Sequence, residues 1–355
     1  MCRSTPLRAP AEIKIVRRIN FGFFLLLWLG FSYRVASTEL SFQQKVMAIL
    51  VFAVLMFAYL AFADPPALRL IERACEGSIW PRSVPPLVLW GIFAVYAKSV
   101  ARLTIDDAVF VLIYLMVPVL LLSLDGHLSR GTRVRLSPLV AAAVLSLWWP
   151  IEFEWLPAVA IPPRDGIPLV LLLGIISALY AFVVVYGLKG MGYTFALNHA
   201  DWKWTGICFS LFVAFFGVPL GISLQFVESS PEVMPIWLWP VAVVGIFFFT
   251  ALPEEILFRG IILNLLQHSW RAYPQAMLVL SAVIFGMAHA NNSNPPFVTF
   301  TIPGYGLMQL PWVYVLLSTI AGWFYGLAYL KTGKVTASAV VHTLVNTWWA
   351  LFLAG

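Results

Sequence analysis

The chain has 355 residues, of which 61% are hydrophobic and only 11% charged, against about 45–50% and about 25% in a soluble domain. No single globular core hides that much apolar surface, so the composition excludes an ordinary soluble enzyme and points to lipid as the solvent. The formal net charge of +6 does not signal a nucleic-acid partner, because the basic residues sit between apolar runs, where they orient a membrane protein.

Taken in chain order, apolar segments suited to membrane-spanning helices, which need roughly 20 residues each, occur at 19–33, 46–63, 85–97, 108–123, 136–150, 167–188, 204–226, 236–258, 276–290, 312–329 and 335–353. The expected fold is therefore all-α and polytopic, with about eleven transmembrane helices (ten to twelve). The first and third segments are short. The runs are too long and too unbroken for strands, and only helices and closed barrels satisfy every backbone group in lipid. The first apolar run has no small-residue cleavage pattern behind it, so no cleavable signal peptide is expected. Cys2, Cys75 and Cys208 are far apart and indicate neither a disulfide framework nor a zinc–cysteine site.

The loop charges agree with this order. Arg3, Arg8, Lys14, Arg17, Arg18, Arg69, Arg73, Arg82, Arg130, Arg133, Arg135, Lys189, Lys203, Arg259, Arg271, Lys331 and Lys334 fall on one side, which is 17 of the 22 Lys and Arg. Arg34, Lys45, Lys98, Arg102 and Arg164 fall on the other. The positive-inside rule then puts the N-terminus in the cytoplasm. The one long connection, 291–311, carries no charge and reads as a turn-rich link or a cap that re-enters the membrane. Asp106, Asp107, Glu152 and Glu154 fall at helix ends and read as solvated, and Trp148, Trp149 and Trp155 as an interfacial aromatic belt.

Ionisable residues inside spanning segments are costly and mark function, and here they cluster after residue 250. The eighth segment holds Glu254 and Glu255 directly after Pro253. The proline opens the helix or starts a new one with the glutamates in its first turn. Glu255 and Arg259, four apart, share a face and form a plausible ion pair, while Glu254 lies about 100° round the helix. His289 ends the ninth segment, and His342 and Asn346, again four apart, share a face of the eleventh. A carboxylate in a low-dielectric pocket suits general-base work on water, a histidine shares that role or binds a metal, and an asparagine amide suits a developing oxyanion. Two histidines with a glutamate also suit catalytic zinc. The bland readings are a packing histidine and a structural Glu–Arg clamp. Three such elements on three of the last four apolar segments, in a nearly uncharged region, outweigh them. For Glu254 to reach His289, the apolar run 261–266 must also lie in the membrane, with Pro253 kinking one longer helix.

These elements resemble the CPBP family, the CAAX prenyl endopeptidases and bacteriocin-processing enzymes also called Abi proteins. The pattern E-E-x-x-x-R appears as Glu254, Glu255 and Arg259, F-x-x-x-H as Phe285 and His289, and H-x-x-x-N as His342 and Asn346. The resemblance covers about 236–353, so a division into an N-terminal transmembrane extension, 1–235, and a catalytic core, 236–355, is expected. It implies an intramembrane endopeptidase for membrane-associated proteins or peptides, with membrane lipids as the other partner. Glu254 would activate water together with His289, Glu255 and Arg259 would support them, and His342 and Asn346 would stabilise the oxyanion. The resemblance leaves open either Zn2+ on Glu254, His289 and His342 or metal-free water activation. Neither H-E-x-x-H nor G-x-S-x-G occurs. Two other classes stand beside this one: a non-catalytic scaffold or immunity protein, and a proton-coupled transporter, which would more often show paired repeats. A bacterial inner membrane is the expected location.

Overall fold

The computed structural model describes residues 10–129, 134–162, 166–226, 228–229, 235–293 and 295–354. Cys2, Arg3, Arg8, Arg130, Arg133, Arg164 and Asn294 lie outside the described residues. The chain is an all-α polytopic membrane protein, and each of the eleven apolar segments is helical. Among the described residues, six helices are long and apolar enough to cross a membrane by length and composition, and three shorter apolar helices accompany them. The chain divides into two compact units, residues 1–189 with 193–196, and residues 190–192 with 197–355.

The first unit contains α1 (Pro10–Ala36), α2 (Phe42–Ala61), α3 (Pro65–Ala74), α4 (Ile79–Ser99), α5 (Ile105–Leu128), α6 (Pro138–Glu152) and α7 (Leu169–Val185). The short strands β1 (Ala160–Ile161) and β2 (Ile167–Pro168) pair before α7. The two segments expected to be short are 27- and 21-residue helices. Their ends are polar, which an apolar count misses, yet the helix still satisfies its own backbone there, and Arg17 reaches Asp64 at 3.2 Å. The ten-residue α3 was not expected: it buries no residue and mixes Leu68, Leu70 and Ile71 with Arg69 and Arg73, the composition of an interfacial helix. Phe52, Leu55 and Tyr59 of α2 and Phe93 and Tyr96 of α4 are fully buried. Trp149, Phe153 and Trp155 form an exposed row of rings 5.5 and 6.1 Å apart. Glu152 accepts a hydrogen bond from the Trp148 indole at 2.9 Å.

The second unit contains α8 (His199–Ser223), α9 (Ile236–Ser269), α10 (Pro274–Met287), α11 (Trp312–Thr332) and α12 (Val335–Phe352). Strand β3 (Glu228–Ser229) pairs with β6 (Leu353–Ala354). The uncharged connection after α10 is a hairpin, β4 (Val298–Ile302) and β5 (Gly306–Leu310). Alternating β-branched and aromatic residues favour the strands. Gly304 and Gly306 supply the positive φ, 85° and 91°, that the reversal after Pro303 requires. The turn from α11 into α12 is tied down from two sides: Lys334 meets the buried Asp201 of α8 at 2.5 Å, and Val335 N–H donates to Met191 O at 3.2 Å.

In lipid, apolar burial gives helices little reason to associate, so close packing and polar contacts carry the assembly. Gly322 and Gly326, one turn apart on α11, supply that closeness. A Cβ on Gly322 would lie 2.9 Å from the Phe285 ring and 3.1 Å from Arg259 Nη2. Gly286 of α10 does the same in reverse, since a Cβ there would meet the Val315 carbonyl oxygen at 2.7 Å. A backbone oxygen cannot swing away, so Gly286→Ala is expected to cost about 1–3 kcal/mol through overpacking. Thermal unfolding in detergent reads this as a lowered Tm, and an unchanged Tm would contradict the close approach.

Candidate active site

Glu254 and Glu255 lie halfway along α9, one continuous 34-residue helical stretch. The longer helix expected from the sequence is therefore present, with the run after Arg259 part of it. The four-residue α-turn Leu252–Glu255 is flanked by π-helical turns, Phe247–Ala251 and Ile256–Leu263. Pro253 has no N–H, and its ring crowds the carbonyl four residues earlier. A wider π turn absorbs that mismatch, a device found often at functional sites. The two carboxylates consequently point different ways.

Glu255 and Arg259 are both fully buried. Arg259 Nη1 donates to Glu255 Oε1 at 2.8 Å, and Nη2 donates to the Gly322 carbonyl oxygen at 2.8 Å. The guanidinium also lies 4.3 Å from the centroid of the Phe285 ring. Two further donors reach Glu255 from α12: the Ser338 hydroxyl to Oε2 at 2.5 Å and His342 Nδ1 to Oε1 at 2.9 Å. Facing a carboxylate, Nδ1 carries the ring proton, so Nε2 is turned the other way. The Tyr325 ring stacks on the imidazole with centroids 4.5 Å apart and fixes its plane. Three donors occupy the Glu255 oxygens. Glu255 thereby holds His342.

Glu254 is the opposite case. Its side chain keeps 32% of its exposure, and Oε2 stands 3.9 Å from His342 Nε2. That oxygen is buried and has no hydrogen-bond partner. His289 is anchored like His342, with Nδ1 2.8 Å from the Phe285 carbonyl oxygen and its ring stacked on Tyr314 at 5.3 Å. Glu254, His289, His342 and Asn346 all line one cavity of about 420 Å³, whose apolar wall includes Phe212, Phe226 and Trp349. Glu255 and Arg259 sit behind this cavity rather than in its lining.

The donors suit zinc chemically, as two histidines with Nδ1 engaged and a carboxylate oxygen without a partner are typical ligand groups. Their spacing does not: among the described residues no three His, Cys, Asp or Glu side chains converge to hold a metal ion. Glu254 and His342 are a pair in this arrangement.

Sequence reasoning missed Ser338, Tyr314 and Tyr325. Ser338 had a readable signal, since it lies four residues before His342 and so on the same face of an apolar helix. Ser338→Ala removes a hydrogen bond to a buried charge, worth about 1.5–3 kcal/mol. A roughly tenfold or larger fall in kcat with KM little changed is expected. Ser338→Thr, which keeps the hydroxyl, should restore most of it, and failure of that rescue would reduce Ser338 to a packing residue.

No curated protein and no solved structure matches the chain. Residues 235–348 match the family model described as type II CAAX prenyl endopeptidase Rce1-like. The matched stretch takes in Glu254, Glu255, His289, His342 and Asn346, so over these residues, about a third of the chain, the protein is similar to the Rce1-like CAAX prenyl endopeptidases.

Proposed function

We propose that the protein is an intramembrane endopeptidase that hydrolyses a peptide bond of a membrane-associated protein or peptide. One observation carries this reading: the buried, partnerless Glu254 Oε2 facing His342 Nε2 across 3.9 Å, in a glutamate that lines a cavity walled by apolar helices. Each atom is an acceptor when the imidazole is neutral, so the gap suits one water that donates a hydrogen bond to each. Glu254 takes a proton from that water as its oxygen attacks the scissile carbonyl carbon, and returns it to the leaving amine. The Asn346 amide, on the face of α12 that carries His342, donates to the oxyanion that forms. His289, which lines the same cavity, holds the peptide or the water. Glu255, Arg259 and Ser338 keep His342 in the tautomer that the water needs. A cytoplasmic N-terminus and a bacterial inner membrane belong to the same proposal, supported by the loop charges, from which Arg259 is withdrawn because it is buried within α9. The division at residue 236 is supported by the extent of the family match.

Zinc on Glu254, His289 and His342 is the competing chemistry. In the metal-free reading, purified protein cleaves co-expressed single-span peptides with no stoichiometric metal bound and keeps its rate after chelator treatment. One zinc per chain, with activity lost on chelation and restored by zinc, would replace water activation by the Glu254–His342 pair with metal catalysis.

A further inference from the structure

The hairpin β4–β5 is two-faced. Its register pairs Val298 with Leu310, Phe300 with Met308 and Ile302 with Gly306, so these residues share one face. Thr299, Thr301 and Gln309 share the other, with Leu307 as its apolar residue. The apolar face is only partly covered by protein, with Val298 47% exposed, Phe300 43% and Met308 43%, and on the other face Leu307 is 68% exposed. A lone two-stranded hairpin is marginal in water and needs such a face covered. Hairpins whose edges face water are usually guarded by charges, especially lysine. From Asn291 to Pro311 there is no Asp, Glu, Lys or Arg.

Chain connectivity says what covers it. Strand β5 ends at Leu310, and α11, a helix long and apolar enough to span the membrane, starts at Trp312. The hairpin base is thus held at the point where a span begins, with an indole beside it and Tyr305, 85% exposed, at the tip. Trp and Tyr favour that depth, where one end of the ring is apolar and the other wet. The unpaired outer edges of the two strands exclude the hydrocarbon core, where no water meets them. We propose that the hairpin is an interfacial membrane anchor, lying flat with Val298, Phe300 and Met308 in the acyl boundary and Thr299, Thr301 and Gln309 towards the headgroups. Lacking charge, it binds lipid through apolar area alone, so it is indifferent to anionic lipid and to salt. Asn292 and Tyr314, which flank it in sequence, line the cavity, so the anchor sets the depth at which the cavity opens.

The test does not depend on catalysis. Full-length protein carrying Phe300→Cys, Met308→Cys, Thr299→Cys or Thr301→Cys is labelled with an environment-sensitive fluorophore and reconstituted in phosphatidylcholine vesicles. The parent serves as the blank for native cysteines, and each variant is first shown to keep the parent Tm. Labels at 300 and 308 should be blue-shifted and quenched at least twofold more by brominated acyl chains than labels at 299 and 301, equally with or without anionic lipid. Met308→Cys keeps the test open if Phe300→Cys fails to fold. Equal quenching on both faces, or none, overturns the anchor. Protection that appears only when a single-span peptide is added also overturns it, and assigns the strand edges to peptide pairing.

Discussion

Glu254→Gln is expected to lower kcat/KM for a cleaved single-span peptide by about 10²–10⁴-fold, the range lost when a positioned general base is removed. The protein should stay folded. Glu254 Oε2 makes no hydrogen bond and the side chain is about one-third exposed, so an isosteric amide disturbs no satisfied contact, and the stability change should stay within about 1 kcal/mol. Rate and melting temperature measured on the same preparation separate the two effects. A folded Glu254→Gln variant with wild-type kcat/KM would move the base elsewhere. Glu255→Gln should behave differently, because its carboxylate holds Arg259, Ser338 and His342 at once. It should lose stability as well as rate.

The largest loss of stability is expected for Arg259→Leu. The guanidinium is fully buried, paired with Glu255, bonded to the Gly322 carbonyl oxygen and covered by the Phe285 ring. Removing one member of a buried pair leaves the other charge uncompensated and costs about 3–5 kcal/mol. The same argument predicts its own reversal. Glu255→Met together with Arg259→Leu removes both charges, and replacing a buried pair by apolar residues of similar volume is often neutral or stabilising. The double variant should regain most of the lost Tm yet stay inactive, because nothing then holds His342 Nδ1. If it melts as low as Arg259→Leu, the pair is not what supports this region. If it regains activity, the Glu255–His342 hydrogen bond is dispensable.

What the sequence determined by itself is the local part of this design. Apolar runs of spanning length became helices wherever they were expected, because a chain in lipid must satisfy its backbone within each segment. The four-residue spacings of Glu255 with Arg259 and of His342 with Asn346 are properties of one helix, and the ion pair forms as that period requires. Pro253 announced the irregular, π-helical turns inside α9, and the apolar run after Arg259 announced that the helix continues. Where apolar content failed as a guide, the reason was also local. Polar residues extend α1 and α4 beyond their apolar centres, and α3 is too short and too charged for a count of apolar residues to find.

Tertiary structure decided the rest. No periodicity says that the Glu255 carboxylate meets an imidazole 87 residues away and a hydroxyl 83 residues away, or that Arg259 finds the Gly322 carbonyl oxygen 63 residues on. Those contacts depend on how closely α9, α10, α11 and α12 approach, which Gly286 and Gly322 permit by lacking a Cβ. They alone distinguish two adjacent glutamates that look equivalent in sequence. One is saturated by three donors and becomes a support, while the other keeps a buried oxygen without a partner and faces the cavity. A residue's type and its place on a helix follow from the chain; whether its polar atoms are already occupied depends on neighbours that only packing between helices supplies.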